Sequence, residues 1–153
     1  MPQELKKLSP EEQHIMLDVI PLITILVAGA DGKIDAKELA HGEKITRIRS
    51  YDYHAQLKPY FQKVGENYTQ RLQELIEELP DNTETRQEEI SNRLSKINSI
   101  LPKLDHTYAK LFYESLLTFA KHVAKSSGGV FGIMSINAKE HKVIRLAMLD
   151  PVE

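Results

Sequence analysis

Between Asp18 and Asp31 the chain passes through residues 19–30 without a charge, and Thr24 is the one hydroxyl in the stretch. At about twelve residues the run falls short of the roughly twenty that a membrane span needs. A helix over residues 22–28 is apolar nearly all round, which places it at the centre of a core. Ser9, Pro10 and Glu12 supply an N-cap, a first-turn proline and a glutamate at the third helical position, so this helix is expected to start there. Pro21 removes a backbone donor and crowds the preceding turn, which predicts a kink or a division of the helix.

The rest of the chain repeats the helical pattern. Asp31 and Gly32 mark a turn, and Asp35 with Glu38 has the spacing of a second capping box, opening a helix through Leu39, Ile45 and Ile48. Val64, Tyr68, Leu72, Leu75 and Leu79 form one apolar stripe, and Ile90, Leu94, Ile97, Leu101 and Leu104 a second. The turn signal at Pro80, Asp81 and Asn82 lies between them, so residues 51–104 are expected to contain a long antiparallel helical hairpin. Asp105 caps a further helix through Phe112, Leu116, Phe119 and Val123 that ends at Gly128 and Gly129, and Asn137 with Glu140 opens the last. No alternation of strand period competes, so the expected class is all-α, with about six helices in one domain over residues 1–153.

Composition narrows the chemistry. A chain of 153 residues with 41% hydrophobic content can bury one ordinary core. The absence of cysteine excludes disulfides, thiolate nucleophiles and sulfur-ligated zinc, and fits a cytoplasmic setting. A formal charge of -2 gives no global field to draw the chain to nucleic acid or an anionic membrane. The opening residues carry Lys6 and Lys7 without an apolar run behind them, so no signal peptide is expected.

Two segments echo each other. Val27-Ala28-Gly29-Ala30-Asp31-Gly32 corresponds to Val123-Ala124-Lys125-Ser126-Ser127-Gly128, and Ile34-Asp35-Ala36-Lys37-Glu38 to Ile136-Asn137-Ala138-Lys139-Glu140, with six extra residues in the second copy. The echo suggests two pseudo-repeated helical hairpins packed together, with residues 51–104 a central elaboration; recurrence of short capping motifs is the simpler alternative.

At these residues the chain resembles the tellurite-resistance TerB-like family, whose mark is a helix ending in an Ala-x-x-Asp-Gly turn, a capped helix carrying glutamate, and a degenerate second copy. The resemblance implies an all-helical fold, no catalytic activity, a link to stress response, and an acidic cluster that takes a divalent cation, Ca2+ or Mg2+. Carried onto this sequence, the metal candidates are Asp31, Asp35, Glu38 and Glu140. Ser127 and Asn137 stand where a full second motif has acids, which argues against a two-fold symmetric site.

Carboxylate oxygens suit such ions, but capping boxes call for the same residues, and both readings stand at this level. An EF-hand is excluded because its first two ligand positions fall on Val27 and Gly29. Glu38 with His41, and Glu11 with His14, have the spacing of di-iron carboxylate helices but lack the lone glutamates that complete them. Residues 128–134 have glycines without the Gly-Lys-Ser/Thr ending of a phosphate loop, and their apolar side chains are expected to fold inward or to meet a partner. Arg47, Arg49, Lys58 and Lys63 lie near Tyr51, Tyr53, Tyr60 and Phe61; a solvated face with tyrosines over the core edge explains them better than nucleic-acid stacking. Nucleophile, base and orienter are not identifiable as a set. Two functions follow: a metal-binding scaffold, or a metal-free adaptor that meets a protein partner through the central hairpin and residues 128–134.

Overall fold

The computed structural model describes residues 1–126 and 138–153, and of Ala138 and Glu140 the backbone alone. Residues 128–134 and the Asn137 cap therefore lie outside the described residues. Among the described residues there are seven α-helices: α1 Pro10–Ala28, α2 Ala36–Arg49, α3 Lys58–Gly65, α4 Tyr68–Glu78, α5 Thr83–Ser95, α6 His106–Lys125 and α7 Ala138–Val143. The described residues also hold three short 3-10 helices, Glu4–Lys7, Lys96–Ser99 and Leu101–Lys103, and no strand.

The expected caps are present. Ser9 accepts from the Glu12 amide at 3.1 Å while Glu12 accepts from the Ser9 amide at 3.0 Å, a complete capping box. Asp105 caps α6 as expected, and Asn82, read in sequence only as part of a turn, caps α5, each through the backbone amide three residues on. At the start of α2 the box is half made: Asp35 accepts from the amides of Lys37 and Glu38, but its own amide donates to the Ala28 carbonyl at 2.9 Å. Glu38 is not the return partner.

Every residue of α1 from Asp18 to Ala28 is buried, and α2, α3, α4, α5, α6 and α7 all touch it. The helix is continuous across Pro21, neither divided nor ended there. Proline cannot donate to the Leu17 carbonyl one turn back, and the surrounding helices hold the segment in helical form regardless. The Tyr60 hydroxyl donates to the adjacent Met16 carbonyl at 2.6 Å, pinning α3 to this turn.

Residues 51–104 are more broken than the two stripes predict. α3 ends at Gly65 and α4 begins at Tyr68, because Gly65 and Asn67, both weak helix formers, interrupt the run. Ile97 and Leu101 lie on 3-10 turns, where Pro102 prevents a regular helix from continuing. All ten stripe residues are nevertheless buried. Helices α4 and α5 each pack more heavily on α1 than on one another, so they form part of the wall around α1.

α1 and α2 cross at Gly42. A Cβ there would lie 2.7 Å from Thr24 Cγ2 and 2.8 Å from the Tyr68 hydroxyl, which itself donates to Thr24 Oγ1 at 2.8 Å. Gly42→Ala gains about 1 kcal/mol of helix propensity and loses about 1–3 kcal/mol to overpacking. The crowding atoms belong to a β-branched side chain and a buried ring, so the loss should win; a lower urea midpoint checks this, and an unchanged one would show the crossing can open.

Candidate functional site

The acidic turn begins where α1 runs out of donors. Gly32 adopts a φ of 107°, which side-chain-bearing residues avoid, and its amide donates to the Gly29 carbonyl at 3.1 Å. The carbonyls left over at the end of α1 are taken by side chains from the first turn of α5. Arg86 Nη2 donates to Gly29 O at 3.0 Å, Gln87 Nε2 to Leu26 O at 2.9 Å, and Thr83 Oγ1 to Gly32 O at 3.2 Å. Arg86 is 5% exposed, and its guanidinium fills the space where a Gly29 Cβ would stand, 2.5 Å away. A cation at the negative end of the α1 dipole is favourably placed. Arg86 shares the stripe of Ile90 and Leu94 at helical spacing, so its burial was legible in sequence even though its partner was not.

The four candidate ligands stand differently. Asp31 is exposed on the turn. Asp35 is half-buried, and its Oδ1 is engaged by two backbone amides at 2.8 and 3.1 Å. Glu38 is 2% exposed and faces inward from α2. The side chain of Glu140 lies outside the described residues, so its relation to the other three is open. Among the described residues, no group of three or more His, Asp or Glu side chains is gathered to hold a metal ion. Asp31, Asp35 and Glu38 are thus not gathered into such a group, nor are Glu11, His14, Glu38 and His41.

Three further charges are drawn inward: Asp18 and the half-buried Arg71, which sequence reasoning missed, and Arg49, which is buried and not on the solvated face expected of it. Asp18 receives Arg71 in a bidentate pair, Nε to Oδ1 at 2.9 Å and Nη2 to Oδ2 at 2.8 Å, with His14 Nε2 3.4 Å from Oδ2. The pair joins α1 to α4 beside Pro21 and holds the Arg71 guanidinium more firmly protonated than usual, through its bond to Asp18. The third is Arg49, 4% exposed, which donates to Ser115 O at 2.9 Å and Thr118 Oγ1 at 3.0 Å on α6. Its Cζ lies 4.3 Å from the Tyr53 ring centre, 5.2 Å from Phe61 and 5.6 Å from Phe119. Tyr60 and Phe61 are fully buried, Arg47 pairs with Glu43 and Lys63 with Glu66, so Tyr51, 67% exposed, is the one open ring of that aromatic and basic group.

His122 on α6 lies in the field of His41 on α2 across the seam that Arg49 closes. Burial is the first cause holding both below the ordinary histidine value; Lys44 adds to it at His41, and Arg49, Lys125, His41 and Lys121 at His122.

Comparison with protein-family models, curated proteins and solved structures gives no match.

Replacing Arg86 by Met should keep the helices and lower stability by about 1–3 kcal/mol, since the Gly29 carbonyl loses a buried charged donor. Equilibrium urea unfolding reads the difference, and a loss within error would mean water replaces the guanidinium. The histidines give a second expectation. A folded-state pKa below the unfolded value means that the unfolded chain binds more protons, so stability is held above 6.5 and lost as pH falls through it. The urea midpoint should decline between about pH 7.5 and pH 5.5, and His122→Gln should flatten the decline. Glu4 and Glu12, both lowered first by their lysine partners Lys7 and Lys103, act in a separate window below 4.5.

Proposed function

We propose that the chain is a non-catalytic helical scaffold of the TerB-like kind, whose α1–α2 corner takes a divalent cation once Glu140 joins Asp31, Asp35 and Glu38. The observation in favour is Glu38. A capping box explains a glutamate at this position only if its carboxylate returns to the Asp35 amide, and that amide is spent on Ala28. Glu38 is instead buried one helical turn after Asp35, which keeps a carboxylate on the inner side of the α1–α2 corner. Hard carboxylate oxygens suit Ca2+ or Mg2+. The clamp from Thr83, Arg86 and Gln87 supports the reading further, since it holds the turn in place from a helix distant in sequence.

In this reading the protein works by presenting a surface whose shape the cation stabilises, in keeping with the stress-response setting the resemblance implies. The metal-free adaptor is the competing reading. Its contact surface would be the outer faces of α4 and α5, because Leu72, Leu75, Ile90 and Leu94 are committed to the core.

Thermal unfolding of chelator-treated protein with added calcium, magnesium, manganese or zinc separates the two. A cation at a hundred times its dissociation constant should add about 2.7 kcal/mol, a shift of several degrees. The shift should vanish in Asp31→Asn and in Glu140→Gln. No shift with any ion would remove the metal and leave the adaptor.

A further inference from the structure

The 3-10 helix Glu4–Lys7, the start of α6 and the residues leading into α3 border an open cleft of about 460 Å³. Pro2, Ala55 and Pro59 give it apolar walls, and Glu4, Asp105 and Tyr108 give it oxygens. Local bonds hold the two acids in place. Glu4 Oε1 accepts from the Asp105 amide at 2.6 Å and from Lys7 Nζ at 2.5 Å, and Asp105 Oδ2 accepts from the Tyr108 amide at 3.1 Å. One oxygen of each carboxylate is thereby engaged. The other, Glu4 Oε2 or Asp105 Oδ1, takes no hydrogen bond from a described residue.

Tyr108 is the unexplained group. It is 6% exposed, and its hydroxyl oxygen is shut off from solvent with no hydrogen-bond partner among the described residues. The hydroxyls of the buried Tyr60 and Tyr68, by contrast, donate to Met16 O and Thr24 Oγ1. Leaving a buried hydroxyl unbonded is costly, and water in the cleft does not reach this one. Burial first, and then the charge of Glu4, push the Tyr108 phenol up, so it stays protonated. Lys7 and the Asp105 amide hold Glu4 below the usual carboxylate range, so it stays ionised.

We propose that this cleft binds a primary alkylammonium group, whose N–H donors go to Glu4 Oε2, Asp105 Oδ1 and the Tyr108 hydroxyl while its methylenes lie along Pro2, Ala55 and Pro59. The carboxylates set the sign of the ligand, because Lys7, the lysine on the cleft wall, is already engaged by Glu4. Each open acceptor belongs to a different residue, which matches the three diverging donors of an ammonium. A guanidinium prefers both oxygens of one carboxylate, and here one oxygen of each is taken. The wall from Pro2 to Lys7 is a single short turn whose Gln3 cap makes no side-chain bond, and it yields as the ligand reaches the hydroxyl. A free amine and a lysine side chain of another protein present the same group. Asp31, Asp35 and Glu38 do not line the cleft, so the site is independent of the acidic corner.

Backbone-amide NMR at neutral pH tests this, with n-butylammonium, end-blocked lysine, n-butylguanidinium and tetramethylammonium chlorides at matched ionic strength. Butylammonium should shift the Asp105 and Tyr108 amides saturably, and tetramethylammonium, a cation with no N–H, should leave them unmoved. Butylguanidinium should bind several-fold more weakly. Binding of butylammonium alone supports the site as one for a free amine, and equal binding of end-blocked lysine supports it as one for a protein side chain. Tyr108→Phe should weaken butylammonium binding about tenfold and leave the urea midpoint unchanged or raised, since the free protein loses no bond. Asp105→Asn, which keeps the α6 cap, should also weaken binding, and Glu114→Gln, at an exposed position of α6 outside the cleft, should not. Unmoved Asp105 and Tyr108 amides, or tetramethylammonium or butylguanidinium binding as well as butylammonium, would overturn the proposal. Full binding by Tyr108→Phe, or a urea midpoint lowered by that substitution, would overturn it as well.

Discussion

α1 is apolar on every side from Val19 to Ala28, and nothing else in the fold can be arranged before that surface is covered. Each buried side chain of this kind contributes about 1.5–3 kcal/mol when removed from water. Six other helices meet α1, and their lengths follow from what each must cover: short pieces wrap a rod better than one long hairpin laid along it. Pro21 shows how strong the constraint is. A proline in an exposed helix interior costs about 3 kcal/mol, yet here the helix runs through it because every alternative would expose the flanking apolar turns.

Burying a rod this completely strands its polar groups, and the charged residues of the fold are largely the answer. Thr24 returns its hydroxyl proton to the Ile20 carbonyl and accepts from Tyr68. Asp18 takes Arg71, and the end of the helix takes Arg86, Gln87 and Thr83. These are specific solutions: a bidentate pair where a carboxylate is available, carbonyl oxygens at a helix end, and aromatic faces around Arg49. Glycine appears where such a group needs the room, as at Gly29 beside the Arg86 guanidinium and at Gly42 beside Thr24 and Tyr68.

α2 carries the acidic candidate residues at its first turn and two arginines in its last. This polarity agrees with the helix dipole, which favours carboxylates at the N-terminus and cations at the C-terminus. Asp35 and Glu38 stand at the one end, and Arg47 and Arg49 at the other. The small net charge of -2 on the whole chain hides this separation, since most acids lie on α4, α5 and the turns. A global charge count therefore says little about local affinity for anions or cations.

Helix starts, the buried stripes and the all-α class could be read from sequence because each depends on residues within one or two turns. Ser9 finds Glu12, Asn82 finds Thr85, and apolar spacing selects the face. Arg86 falls on the buried stripe of Ile90 and Leu94 by the same spacing, whereas Arg49, expected on a solvated face, is buried. What each of them touches could not be read, because Gly29 lies 57 residues from Arg86 and Ser115 lies 66 from Arg49. Glu38 is the clearest case of divergence. By itself the sequence determined that Asp35 caps α2, since a cap needs only its own next amides. Only the tertiary structure decided that the Asp35 amide goes to Ala28 and that Glu38 turns inward, because the way α2 folds back on α1 chooses among partners that local spacing leaves equally available.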